Sequence, residues 1–223
     1  MSGLPPIAIS ALTGFISGLL LAIPVGPVNL TIMNEGARCG FRRAALISSG
    51  ALVMEVAYCA LAFTGFASFF THGPVQSAME VFSFAFLFYL GMKFLLVKSV
   101  RMSTERESRF EQRLHPSSGF MTGLVRVMGN VGVFLFWIVL GANFISREWV
   151  APTWASKGVC VLGVMLGTGA WFYGLSYGVS RGHGKFSEKT LLRMERGSGI
   201  GLLVLALAHG CEIVWKMHQN HHL

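Results

Sequence analysis

Ile23-Pro24-Val25-Gly26-Pro27-Val28-Asn29-Leu30, running on through Thr31-Ile32-Met33-Asn34-Glu35-Gly36-Ala37-Arg38-Cys39 to Gly40, interrupts a long apolar helix. Pro24 and Pro27 have no backbone N–H, so a helix drawn through them would strip the carbonyls of Leu20 and Ile23 of their usual donors. Gly26 between them makes the bend cheap. The break follows the apolar run Ile7 to Ile23 and precedes another apolar turn. In lipid, freed carbonyls must find partners inside the protein or in a wet cavity, and interrupted helices at membrane depth are where secondary transporters put their substrate and ion sites. A proline kink that only shapes helix packing is the alternative.

Around this stretch the composition is that of an integral membrane protein. The 223 residues are 53% hydrophobic and 13% charged, with a mean hydropathy of +0.59. Apolar runs recur at the length of about 20 residues that a helix needs to cross a hydrocarbon core of about 30 Å. Six spans are predicted, at 7–32, 44–70, 75–97, 119–144, 154–179 and 198–216. No Lys or Arg precedes the first of them and no small-residue cleavage site stands out in 7–28, so it is expected to be retained rather than cleaved.

The net charge of +8 reads as a topology signal rather than as a nucleic-acid surface. Most of the 18 cations fall in alternate connections: Arg38, Arg42 and Arg43 in the first, Lys93 to Arg113 in the third, Arg181 to Arg196 in the fifth. The positive-inside rule puts those three in the cytoplasm and both termini outside it.

The third connection, 99–118, is the one long polar segment and is expected to be a cytoplasmic linker between a first three-helix repeat, 1–98, and a second, 119–223. Gly14-Phe-Ile-Ser-Gly-Leu19 recurs as Gly119-Phe-Met-Thr-Gly-Leu124, and Val25-Gly26 recurs as Val131-Gly132. An odd number of spans per half inserts the two halves oppositely. The expected fold is thus all-α, with six transmembrane helices in two inverted repeats and the first and fourth helices broken, an arrangement that points to a midplane site between repeats. Coincidence in Gly-, Phe- and Leu-rich helices would produce the same similarity. Gly14 with Gly18, Gly163 with Gly167 and Gly174 with Gly178 have the spacing of close helix contacts. Phe82, Phe84, Phe86 and Phe88 make the third span aromatic on every side, as a lipid-facing helix would be.

Glu55 is the acidic residue that stands out. It lies too deep in the second span for its side chain to reach either surface, and a charged carboxyl there costs about 2.5 to 3.5 kcal/mol unless neutral or paired. It could couple export to a proton, receive a substrate ammonium, or stand protonated against a neighbouring helix. Arg126, about seven residues into the fourth span, either snorkels to the cytoplasmic edge or anchors a substrate carboxylate. Asn29 and Asn130, at the two breaks, could bond a ligand or a freed carbonyl.

Other features carry less. Cys39, Cys59, Cys160 and Cys211 have no metal or disulfide spacing and read as packing residues. His209 and Glu212, with His218, His221 and His222 behind them, are a weak metal pattern. Gly174-Leu-Ser-Tyr-Gly178 matches the nucleophile elbow of serine hydrolases, but that elbow needs a strand-turn-helix setting and Ser176 falls in a membrane helix.

Pro24-Val25-Gly26-Pro27, followed by Gly40-Phe-Arg-Arg43, Gly50-Ala-Leu-Val-Met-Glu55, Tyr89-Leu-Gly-Met-Lys93 and Gly129-Asn130, resembles the lysine exporter (LysE/RhtB) family of bacterial amino-acid exporters. The chain departs from that pattern in three places: Met54-Glu55 stands for Gly-Asp, Val131 for a proline, and Val25 is inserted into a Pro-Gly-Pro core. The resemblance implies a multi-pass inner-membrane exporter of a small amino acid or related cationic or zwitterionic solute, exchanging with protons and using no cofactor or metal. Pro24, Gly26, Pro27, Asn29, Gly129, Asn130 and Gly132 would bind substrate at the two breaks, with Glu55 as the proton or ammonium site. The partners implied are an amino acid, protons and lipid, with no nucleic acid; a homodimer stays open. A metal-ion or cation permease on a similar scaffold is the alternative function, and a non-transporting scaffold or the hydrolase are the others. No enzymatic activity is expected.

Overall fold

The computed structural model describes residues 5–24, 26–66, 73–96, 118–181 and 188–220. Val25, nearly all of the expected 99–118 linker, His221 and His222 lie outside them. The described residues form eight helices and no strands: α1 Pro6–Ala22, α2 Pro27–Cys39, α3 Phe41–Leu61, α4 Gly73–Leu95, α5 Gly119–Met128, α6 Val131–Ser146, α7 Trp154–Ser180 and α8 Glu188–Asn220. A π turn, Ala62–Phe66, continues α3.

Two continuous helices, Phe41–Thr64 and Trp154–Ser180, are long and apolar enough to cross a membrane. Two bent pairs qualify when each is taken as one span: α1 with α2 at 69°, and α5 with α6 at 64°. The described helices therefore offer two to four candidate spans, fewer than the six predicted.

The connections differ from the sequence expectation in a way that has a simple cause. The first cationic segment is not a loop. Helix α2 runs to Cys39 and α3 begins at Phe41, so Arg38 closes one helix while Arg42 and Arg43 open the next. Gly40 alone makes the corner at φ 79°, a backbone angle that strongly favours glycine. Arg43 reaches back across the corner to Glu35, Nε to Oε2 at 3.3 Å.

Packing rests on backbones that touch. On α1 every fourth residue, Ser10, Gly14, Gly18 and Ala22, is buried. This small-residue stripe meets α7, where a Cβ on Gly14 would overlap the Cys160 carbonyl and one on Gly18 would lie 2.6 Å from that of Val164. Gly163 and Gly167 return the contact against Ala11 and Phe15. The pair α3 and α5 is built alike: Gly50 lies on the Phe120 carbonyl and Gly123 on that of Ile47. Gly199 on α8 faces the Gly91 carbonyl of α4, where a Cβ would come within 2.8 Å. Hydrocarbon gives no hydrophobic reward for helix association, so close van der Waals contact and interhelical hydrogen bonds must supply it. Thr168 Oγ1 donates to the Gly18 carbonyl at 3.1 Å, and Ser48 meets Ser176 at 2.8 Å between α3 and α7.

Two other small or aromatic patterns resolve differently. A Cβ on Gly174 or Gly178 would meet nothing within 4 Å, so among the described residues that repeat marks no contact. Phe82 and Phe88 are exposed, but Phe84 and Phe86 turn inward, Phe86 lying 6.1 Å from Phe136. Helix α6 is the most enclosed element, with every residue from Phe136 to Phe144 buried.

Gly123→Leu is expected to lower the melting temperature in detergent by about 5 °C or more, because the new side chain strikes backbone that cannot yield. Gly174→Ala, which meets open space, is expected to stay within about 2 °C of the parent.

Candidate functional site

Helix α1 stops at Ala22, before Pro24, and α2 starts with Pro27 in its first position, where a missing N–H costs nothing. The carbonyls in need of partners are therefore those at the end of α1 and in the break. Asn29, in the first turn of α2 and 3% exposed, supplies them, together with the Gly26 N–H, which meets the Pro24 carbonyl at 2.8 Å. Its Nδ2 donates to the Ala22 carbonyl and to the Pro24 carbonyl, both at 2.7 Å. Its Oδ1 accepts from Trp171 Nε1 of α7 at 3.3 Å. The Asn29 amide is thus held by the break it adjoins and by the other half of the chain.

The second break contains no proline. Gly129 N–H and Asn130 N–H close the end of α5 on the Val125 and Val127 carbonyls, both at 2.9 Å. Asn130 then leaves the helical region, with φ −97° and ψ 83°. Its side chain makes no capping bond, and Gly132 leaves room beside it, since a Cβ there would come within 3.1 Å of Asn130 Oδ1. The carbonyl of Met128, last residue of α5, accepts from Tyr58 Oη of α3 at 3.0 Å.

Glu55 lies on α3 one turn before Tyr58. Its Oε2 accepts from Trp137 Nε1 of α6 at 2.8 Å, so the deep carboxyl has a neutral donor rather than a cation. The Tyr58 ring packs 5.0 Å from that of Phe134, also on α6.

One apolar cluster joins the two breaks. It includes Ala22 and Val28, which flank the first, and Val127 and Val133, which flank the second, with Tyr58 and Trp171 packed against it. Arg126 is partly buried in the last turn of α5, outside that cluster.

The remaining sequence candidates lie apart. His209 is buried on α8, bonded to Arg147 through Nδ1 and donating from Nε2 to the Glu80 carbonyl at 3.1 Å. Among the described residues no group of three His, Cys, Asp or Glu side chains is placed to hold a metal. Ser176 is buried within α7, bonded to Ser48 and to the Phe172 carbonyl, which is not the setting of a nucleophile. Cys59 and Cys160 are core residues, whereas Cys39 and Cys211 are exposed.

Sequence reasoning missed Tyr58, Trp137 and Trp171. Only Tyr58 carried a signal, its position one helical turn from Glu55.

The chain matches the family model described as LysE type translocator over residues 19–211. It belongs to that family. A Bacillus subtilis (strain 168) relative named "Putative amino acid efflux protein YcgF" is 26% identical over 200 residues, covering 89% of this chain and 94% of its own length. No solved structure matches the chain. As a LysE type translocator with apolar helices of spanning length, it is a multi-pass membrane protein.

Asn29→Leu strands the Ala22 carbonyl, at about 1–3 kcal/mol, and leaves the Pro24 carbonyl to the Gly26 N–H alone; it is expected to lower the melting temperature by about 4 °C or more. Asn130→Leu removes an amide that caps nothing and is expected to leave stability close to the parent, so thermal scans of the two variants test the assignment directly.

Proposed function

We propose that this translocator exports a small amino acid, or a related cationic or zwitterionic solute, across the bacterial inner membrane in exchange for protons. The observation that carries the reading is the meeting of two bent helix pairs at one apolar cluster, with a deep carboxyl on the helix that braces one of them. The relative's name, an amino acid efflux protein, supports the substrate class.

The chemistry of the site matches a zwitterion. Helices α2 and α6 both begin at a break, and the first N–H groups of a helix carry the positive end of its dipole. Half-helix ends of this kind receive anionic substrate groups in transporters. The substrate carboxylate is assigned to the Gly26–Pro27 and Gly129–Gly132 ends, with the Asn130 amide beside it and Pro24 and Asn29 shaping the opposite wall. The ammonium is assigned to Glu55. Arg126 would receive the carboxylate on the cytoplasmic approach.

Glu55 can hold a proton or an ammonium group but not both, and that competition is the physical basis of exchange. An amino acid leaves Glu55 outward when a proton replaces it, and the proton is released inward when the next ammonium arrives. The site binds and releases without breaking a covalent bond.

The full proposal places six spans in two inverted three-helix repeats, 1–98 and 119–223, joined by a cytoplasmic 99–118 segment with both termini outside the cytoplasm. The reciprocal packing of α1 on α7 and α5 on α3 supports it, and so does the distribution of cations.

Proteoliposomes loaded with a panel of labelled amino acids test the reading under an imposed pH gradient. Gradient-driven efflux of at least one of them is expected, together with its loss in Glu55→Gln, which keeps the shape of the side chain but can neither ionise nor carry a proton. Undiminished gradient-driven efflux in that variant would remove Glu55 from the coupling, and movement of divalent cations alone would overturn the substrate class.

A further inference from the structure

The two breaks are held bent by different means. At the first, Pro27 occupies the opening position of α2 and Pro24 lies in the turn, so covalent geometry forbids a continuous helix. The second has Val131 in the corresponding position, with an N–H available, and nothing in its own covalent structure prevents α5 and α6 from running together. Were they continuous, the Met128 carbonyl would accept from the Gly132 N–H four residues on. Bent at 64°, it accepts instead from the Tyr58 hydroxyl at 3.0 Å.

Tyr58 sits where a brace has to sit. Its hydroxyl holds the last carbonyl of α5, its ring packs on Phe134 of α6, and Glu55 one turn earlier holds Trp137 further along α6. Helix α3 therefore grips both limbs of the bend. Within the chain, the donor that straightening would return to the Met128 carbonyl is the Gly132 N–H, so the hydroxyl bears directly on the equilibrium between bent and straight.

We propose that Tyr58 is a positioning residue that does for the second break what proline does for the first, keeping the α5–α6 pair bent so that Asn130 and the start of α6 face the site. The bend follows from the contacts alone; its consequence for transport rests on the exporter reading above.

Tyr58→Phe removes the hydroxyl and keeps the ring. Spin labels on cysteines placed at the exposed positions Met121 and Leu135, with Cys39 and Cys211 replaced by Ser, report the separation across the bend. Tyr58→Phe is expected to lengthen that separation and to lower the maximal efflux rate by about tenfold, the scale of one net hydrogen bond.

The decisive variant adds Val131→Pro. Position 131 opens α6, where proline is tolerated, and Asn130 before it is already outside the α region, as a residue preceding proline must be. Val131→Pro in the Tyr58→Phe background is expected to restore both separation and rate, which a general loss of stability would not do. An unchanged separation in Tyr58→Phe, or a lengthened one that proline fails to correct, overturns the proposal. If the parent protein moves no amino acid, the exporter reading fails while the spin-label distances still decide the role of Tyr58.

Discussion

A backbone carbonyl in hydrocarbon must have a donor, because no water is there to supply one. The arrangement around the candidate site follows from breaking two helices under that constraint. The first break releases carbonyls at Ala22 and Pro24; an asparagine donates to both, the Gly26 N–H adds a second bond to Pro24, and a tryptophan from α7 holds the asparagine in place. The second releases the carbonyl of Met128, and a tyrosine from α3 answers it. Each break is thus secured by a helix distant in sequence, which ties its geometry to the packing of the rest of the bundle.

That dependence explains the small residues. For side chains of α3 and α7 to reach the breaks, those helices must lie against α5 and α1 almost backbone to backbone, and glycine permits it: Gly14, Gly18, Gly163 and Gly167 at one crossing, Gly50 and Gly123 at the other. The roles are exchanged between the crossings, α1 on α7 and α5 on α3, the pattern the proposed inverted repeat requires. The carboxyl of Glu55 shares this logic. Its partner is the indole of Trp137, a neutral donor on α6, which suits the proposed competition of a proton and an ammonium group for the carboxyl.

The sequence made the breaks legible because proline and glycine act locally: Pro24, Gly26 and Pro27 cannot continue a helix whatever surrounds them, and Gly129 to Gly132 repeats the pattern without the proline. Glu55 stood out by depth alone. Its partner did not, since no local rule connects position 55 to position 137, and the same holds for Tyr58 with Met128 and Asn29 with Trp171. Small-residue spacing was an incomplete guide for a related reason. Gly163 with Gly167 and Gly174 with Gly178 look alike in sequence, yet among the described residues only the first pair meets another helix, because spacing specifies a face and not what covers it. The first connection expected between 32 and 44 is helical almost throughout, because no residue there but Gly40 breaks the chain and a charge pattern says nothing about backbone conformation.

In the proposed mechanism the two breaks together form one binding site. With Cys39 and Cys211 replaced by Ser, single cysteines introduced by Gly26→Cys and Gly132→Cys test it, since a Cβ at Gly26 meets nothing within 4 Å and one at Gly132 meets only Asn130 Oδ1 at 3.1 Å. Maleimide labelling of each would be timed with and without the amino acid that the efflux assay identifies. Slower labelling at both positions in its presence is the expected result. Equal rates with and without the amino acid, at either position, would contradict a site shared by the two breaks.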